Sequence, residues 1–168
     1  LGGGRSIGGR PRDRAAFDAR FEQMVRMYHQ VAERALARGV PVHVHPTSTP
    51  DSLILVKAEY ERLVAALDPS RVGLGPDTAH ITRGDEPALD FVARHTERIV
   101  HVHLKDAHAG GDYAPMGSGD ADIAAVARLL AERGYAGWFI AEEESEASGA
   151  DPAAAVRASR EYLRRLGY

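Results

Sequence analysis

"RIVHVHLKD", residues 98–106, decides how this chain folds. Successive side chains of an extended strand point to opposite faces. The spacing therefore places Val100, Val102 and Leu104 on one face and His101 and His103 on the other. The phrase has an earlier partner in "PVHVHP", residues 41–46, with Val42 and Val44 opposed to His43 and His45. Strands covered on both faces, as in an open parallel sheet, read apolar throughout. An aliphatic face backed by an imidazole face suits a barrel wall, with helices outside and a ligand-bearing mouth inside.

Outward from these strands the chain alternates. An apolar stripe over 14–38 predicts a helix ended by Gly39, and residues 40–45 predict a strand. "TPDSLILVKAEYERLVAALDPS" predicts a helix from 49 to about 67, and "RVGLGPD" a strand. "GDEPALDFVARHT" predicts a short helix capped by Asp85. The strand at 98–106 follows, then a loop over 106–119. "DADIAAVARLLAERGY" reads as a helix and "GWFIAEEE" as a strand. Asp151-Pro152 opens the last helix as a cap followed by proline.

Four consecutive strand-helix units predict parallel strands with right-handed crossovers. The fold class is α/β, the C-terminal half of a (β/α)8 barrel, with a small open doubly wound sheet as the alternative. Residues 1–13 read as a glycine-rich N-terminal loop and 14–168 as a single partial barrel domain.

Composition narrows the function. The net charge is only -3 over 168 residues, so neither nucleic acid nor an anionic membrane is implied as a partner. There is no cysteine, which excludes disulfides and thiolate metal sites. No apolar run is long enough to span a membrane, and the start lacks the centre of a secretory signal. A cytoplasmic location is the expectation.

Each strand ends in groups that bind cations: His43 and His45; Asp77 with His80; His101, His103, Lys105 and Asp106; Glu142, Glu143 and Glu144. In a parallel sheet or barrel these ends share one side and converge. Imidazole and carboxylate without sulfur suit Mn²⁺ or Co²⁺ first, with Zn²⁺, Fe²⁺ or Mg²⁺ also accommodated. Taken singly, each group has a plainer reading as a strand-end hydrogen bonder, a helix cap or a solvated charge. His29 and His95 read as packing or surface residues.

"VGLGPDTAH" (72–80), "RIVHVHLKD" (98–106) and "PMGSGDADIAAVARLLAERGYAGWFIAEEES" (115–145) occur in an order that resembles the xylose isomerase-like sugar phosphate isomerase/epimerase superfamily, nearest its inosose dehydratase type. The resemblance implies a TIM barrel, a divalent metal at the carboxyl ends of its last four strands, and proton abstraction beside a carbonyl. It implies Asp77, His103 and Glu142 as metal ligands, with His43 in the place of a glutamate found in many relatives. It implies His80 as a substrate contact and His101 as a support one layer deeper.

The expected activity is that of a metal-dependent isomerase, epimerase or dehydratase acting on a small polyhydroxylated carbonyl substrate. Glu142, His80 or His45 would take or return the proton, and Lys105 would bind a substrate oxygen or carboxylate. "PTSTPDS" lacks the second catalytic glutamate of the ketose epimerases, which favours dehydration or single-base isomerisation. The rival readings are a non-catalytic half-barrel subunit and a metal-assisted phosphodiester hydrolase. Four units amount to half a barrel, so the expected partner is a second copy or a missing N-terminal half.

Overall fold

The computed structural model describes residues 9–168. Most of the glycine-rich start, residues 1–8, lies outside the described residues. Helix α1 (Arg14–Leu36) begins where the Asp13 carboxylate accepts the Ala16 N–H at 2.8 Å. It buries Phe21, Met24, Tyr28 and Ala32 along one stripe. Gly39 then turns the chain with φ 71° into strand β1 (Val42–Val44). Helix α2 is Lys57–Ala66, shorter than expected, because residues 49–56 form turns and irregular chain. Pro50 withholds a donor there, and Glu59 takes the N–H groups of Leu55 and Val56 at 2.8 and 3.2 Å, fixing the helix start late.

Strand β2 (Val72–Leu74) leads into a short helix, α3 (Thr78–Arg83), that the periodicity did not predict. Its cap is Asp77, whose Oδ1 accepts the His80 N–H at 2.8 Å. Helix α4 (Ala88–His95) starts after Pro87, not at Asp85, which takes up a left-handed φ of 68° in the preceding turn. Strand β3 (His101–Leu104) follows. The expected loop contains a small antiparallel pair, β4 (Asp106–Ala107) and β5 (Tyr113–Ala114). Helix α5 (Ile123–Glu132), strand β6 (Trp138–Ala141), a short helix α6 (Glu146–Ala150) and helix α7 (Pro152–Arg165) complete the chain.

Strands β1 and β2 pair in parallel, as do β3 and β6. Parallel bridges Leu74–Ile99 and Asp77–His103 join the two pairs. The spatial order β1-β2-β3-β6 thus follows the chain with no reversal. A doubly wound sheet needs a reversal, so this is barrel wall and the open-sheet alternative falls. Val42, Val44, Val72, Leu74, Ile99, Val102 and Leu104 are buried in the core.

The alternation expected for β3 fails at one residue. Between the two bridges β3 advances four residues while β2 advances three. That extra residue is a bulge, and it turns Val100 onto the histidine face, with Ile99 taking the core position. Val100 is 42% exposed, and its Cγ1 lies 2.8 Å from where a Cβ on Gly73 would sit. The inner face continues onto β6, where Trp138 pairs in register with His101 and is 79% exposed.

Gly75 has a packing reason to be glycine. A Cβ there would come within 2.8 Å of ring atoms of both His43 and His101. Gly75→Ala is therefore expected to lower stability by about 1–2 kcal/mol through overpacking. His101→Ala in the same chain should recover part of that loss, by removing one of the two rings and giving the His43 ring room to shift, read as the midpoint of thermal unfolding.

Candidate metal centre

The strand ends place two layers of side chains on the inner face. In the deeper layer His43 and His101 meet edge to face, ring centroids 3.9 Å apart, across Gly75. Burial, then the neighbouring His101, lowers His43 to about 4. In the upper layer His45, Asp77, His103 and Glu142 each offer one ligand atom, all within 4.8 Å of one another. Thus His45 takes the position in the cluster that the resemblance gave to His43, which lies one layer below.

Local structure sets each group. Pro46 follows β1, and its carbonyl accepts the Nδ1–H of His45 at 2.6 Å. That bond leaves Nε2 with its lone pair, 3.7 Å from Asp77 Oδ2. Burial and the neighbouring His103 lower His45 to about 4, so it is neutral and able to ligate. Asp77 is fully buried. Its Oδ1 is used by the α3 cap, while Oδ2 has no hydrogen-bond partner. Burial pushes Asp77 up to about 6, although Lys105 and the His80 N–H act in the opposite direction.

His103 Nδ1 lies 2.6 Å from Glu142 Oε2, and Lys105 donates to Glu142 Oε1 at 2.9 Å. The hydrogen bond to His103 lowers Glu142 to about 2 against the effect of burial, with Lys105 assisting. Lys105 is 1% exposed and also pairs with Glu144. Burial favours its neutral form, but Asp77, Glu144 and Glu142 together raise its pKa. Its Nζ lies 4.3 Å from the Tyr113 ring centroid.

His80 is buried beside the cluster, its ring edge-on to His45 with centroids 5.8 Å apart. Burial, then Lys105, lowers it to about 3. Arg94 pairs with Glu61 and Glu86 away from the site. His29 accepts the Asp68 N–H at 3.1 Å. Sequence reasoning missed Ser48 and Tyr113, which touch His80 and Lys105; both lie outside the strand ends and follow no motif.

The donor set is suited to a divalent ion. Two imidazoles and two carboxylates converge, and one fully buried carboxylate oxygen lacks any hydrogen bond. Buried polar atoms without partners are rare because they cost about 1–3 kcal/mol, and an ion would satisfy this one.

The sequence model of a family described as xylose isomerase-like TIM barrel matches residues 2–166. An inosose dehydratase of Lactiplantibacillus plantarum is 28% identical over 165 residues, covering 88% of this chain and 54% of the relative. One from Geobacillus thermodenitrificans is 32% identical over 124 residues, covering 63% of this chain and 42% of the relative. The crystal structure of 3-keto-D-glucoside 4-epimerase from E. coli superposes with TM-score 0.71 at 23% identity, covering 92% of this chain and 56% of that one. A D-tagatose 3-epimerase-like protein gives TM-score 0.70 at 20% identity, covering 94% and 58%. The chain spans about half the length of the curated relatives it matches. Among the described residues no helix is long and apolar enough to cross a membrane.

Proposed function

The chain belongs to the xylose isomerase-like TIM barrel family, and from that premise we propose that it is the metal-bearing half of a dehydratase or isomerase acting on a cyclic or open polyhydroxy ketone. The convergence of His45, Asp77, His103 and Glu142, with Asp77 Oδ2 unbonded, carries the proposal. These four residues would hold the ion, with Mn²⁺ or Co²⁺ as the expected metals. When bound, a divalent ion supplies Lewis-acid polarisation of the carbonyl and stabilises enediolate-like charge.

The chain's own residues supply the rest. Glu142, reaching from the cluster to Lys105, takes the proton from the carbon beside the carbonyl. The Lys105 ammonium, held by Glu142 and Glu144, faces the oxygen on which charge develops. In the dehydration branch that proton passes from Glu142 to the hydroxyl one carbon further, which leaves as water, and an α,β-unsaturated ketone forms. Dehydration is preferred because the relatives matched by sequence are inosose dehydratases.

The test is to add Mn²⁺ or Co²⁺ and an inosose, and to follow exchange of the proton beside the carbonyl in D₂O and growth of the enone absorbance. Neither signal in an assembly that holds one ion per site would rule the activity out.

The uncovered inner face calls for a second half-barrel. Four strands closing against four make the eight of a complete barrel. Head-to-tail pairing of β6 with β1 of another copy would leave no sheet edge exposed. Trp138 is the chain's single tryptophan and sits on that face, so its fluorescence reports closure. Association to twice the monomer mass with a blue shift of emission is expected, and Trp138→Asp should abolish the association, read by mass. A monomer with red-shifted emission would mean that the N-terminal half has to be supplied separately.

A further inference from the structure

The environment of His80 settles which of its nitrogens carries the proton. The backbone N–H of Ser48 lies 3.1 Å from His80 Nδ1 and points its hydrogen at it. A backbone N–H can only donate, so Nδ1 is the acceptor and the ring proton is on Nε2. The Ser48 hydroxyl lies 2.8 Å from the same nitrogen. Arg83 Nη1 donates to Ser48 Oγ at 3.0 Å. A guanidinium also can only donate. Ser48 Oγ thus accepts from Arg83 and passes its own hydrogen to Nδ1.

Arg83 is fixed in turn. Its Nε donates to the Gly111 carbonyl at 2.7 Å, and its guanidinium carbon lies 4.4 Å from the Tyr113 ring centroid. Among the described residues no protein group is hydrogen-bonded to His80 Nε2.

We infer that Ser48 and Arg83 are positioning residues that hold His80 as a hydrogen-bond donor, through Nε2, to a substrate oxygen. His80 then polarises the carbonyl or an adjacent hydroxyl and is not the proton acceptor. The assignment of a substrate oxygen rests on the carbonyl chemistry proposed above; the tautomer does not. His80 leaves proton removal to the carboxylates.

The test is long-range ¹H–¹⁵N correlation on the full chain with labelled histidine, with His80 assigned by loss of its signals in His80→Gln. An unprotonated Nδ1 and a protonated Nε2 are expected at neutral pH. A proton on Nδ1, or on both nitrogens, overturns the inference. Ser48→Pro removes both Ser48 donors and leaves the Tyr113 hydroxyl, 3.4 Å from Nδ1, so both tautomers should appear in Ser48→Pro combined with Tyr113→Phe; a folded chain with both changes that keeps the single tautomer also overturns it. Arg83→Gln is the milder variant. It frees the Ser48 hydroxyl to turn away and should shift the Nδ1 resonance alone, and an unmoved Nδ1 resonance removes Arg83 from the relay. These spectra need neither metal nor turnover. Absent turnover with the expected tautomer would count against the proposed reaction and leave the positioning intact.

Discussion

Replacing Asp77 with asparagine is expected to stabilise the metal-free chain while destroying its ion binding. The carboxylate is fully buried, and one of its oxygens has no hydrogen bond. Burial pushes it up to about 6 from 3.8. At neutral pH it is ionised in both folded and unfolded chains, and the difference costs the fold about 3 kcal/mol. That cost is absent at pH values below 3.8 and grows as pH rises toward 6. Metal-free wild type should therefore lose stability across this window relative to Asp77→Asn. The asparagine oxygen can still accept the His80 N–H, so the α3 cap survives.

With the metal most of that difference closes. Removing a ligand should weaken affinity by at least about 100-fold, since losing mere supporting groups already costs 10–100-fold. Wild type at an ion concentration about 100 times its dissociation constant gains roughly 2.7 kcal/mol, and the variant gains almost nothing. Thermal unfolding of both chains, with and without Mn²⁺, reads how far the gap closes. A variant that is less stable without metal and still stabilised by it would mean that Asp77 serves only as a helix cap.

What the sequence alone could show divides along a physical line. Two-residue periodicity is a local property, so the imidazole and aliphatic faces of β1 and β3 were readable in "VHV" and "HVH". Order along the chain was readable as well, because strand-helix alternation admits few topologies. Depth was not. His43 and His45 share a face, and only the stagger of neighbouring strands puts His45 level with Asp77, His103 and Glu142. The Val100 bulge depends on how many residues β2 spends between two bridges, which no pattern within β3 records. Helix α3 escaped because six residues are too few to display a period, and its start lies in the carboxylate of Asp77.

The second large effect concerns Asp106, which the sequence displayed only as one more acid at a strand end. It is buried at 2% exposure and accepts four backbone N–H groups. These are Ala107 at 3.0 Å, Gly117 at 2.8 Å, Gly119 at 3.0 Å and Ala121 at 3.2 Å. One side chain thus gathers the "MGSGDA" loop against the start of β4 and supports the loop bearing Tyr113, whose ring covers Lys105. Asp106→Ala would leave several donors unpaired at about 1–3 kcal/mol each, with part of the loss recovered as the loop opens to water. A net loss of about 3–5 kcal/mol is expected by urea unfolding. Asp106→Asn should lose less, because its amide keeps one acceptor oxygen. Gly119→Ala should act through the same contact, since its Cβ would stand 2.4 Å from Asp106 Oδ1 and 2.7 Å from the Ala107 carbonyl. If Asp106 organises this loop, Asp106→Ala and Gly119→Ala combined will destabilise by much less than their sum, as expected for two lesions in one network. Additive losses would show that the loop holds its shape without the carboxylate.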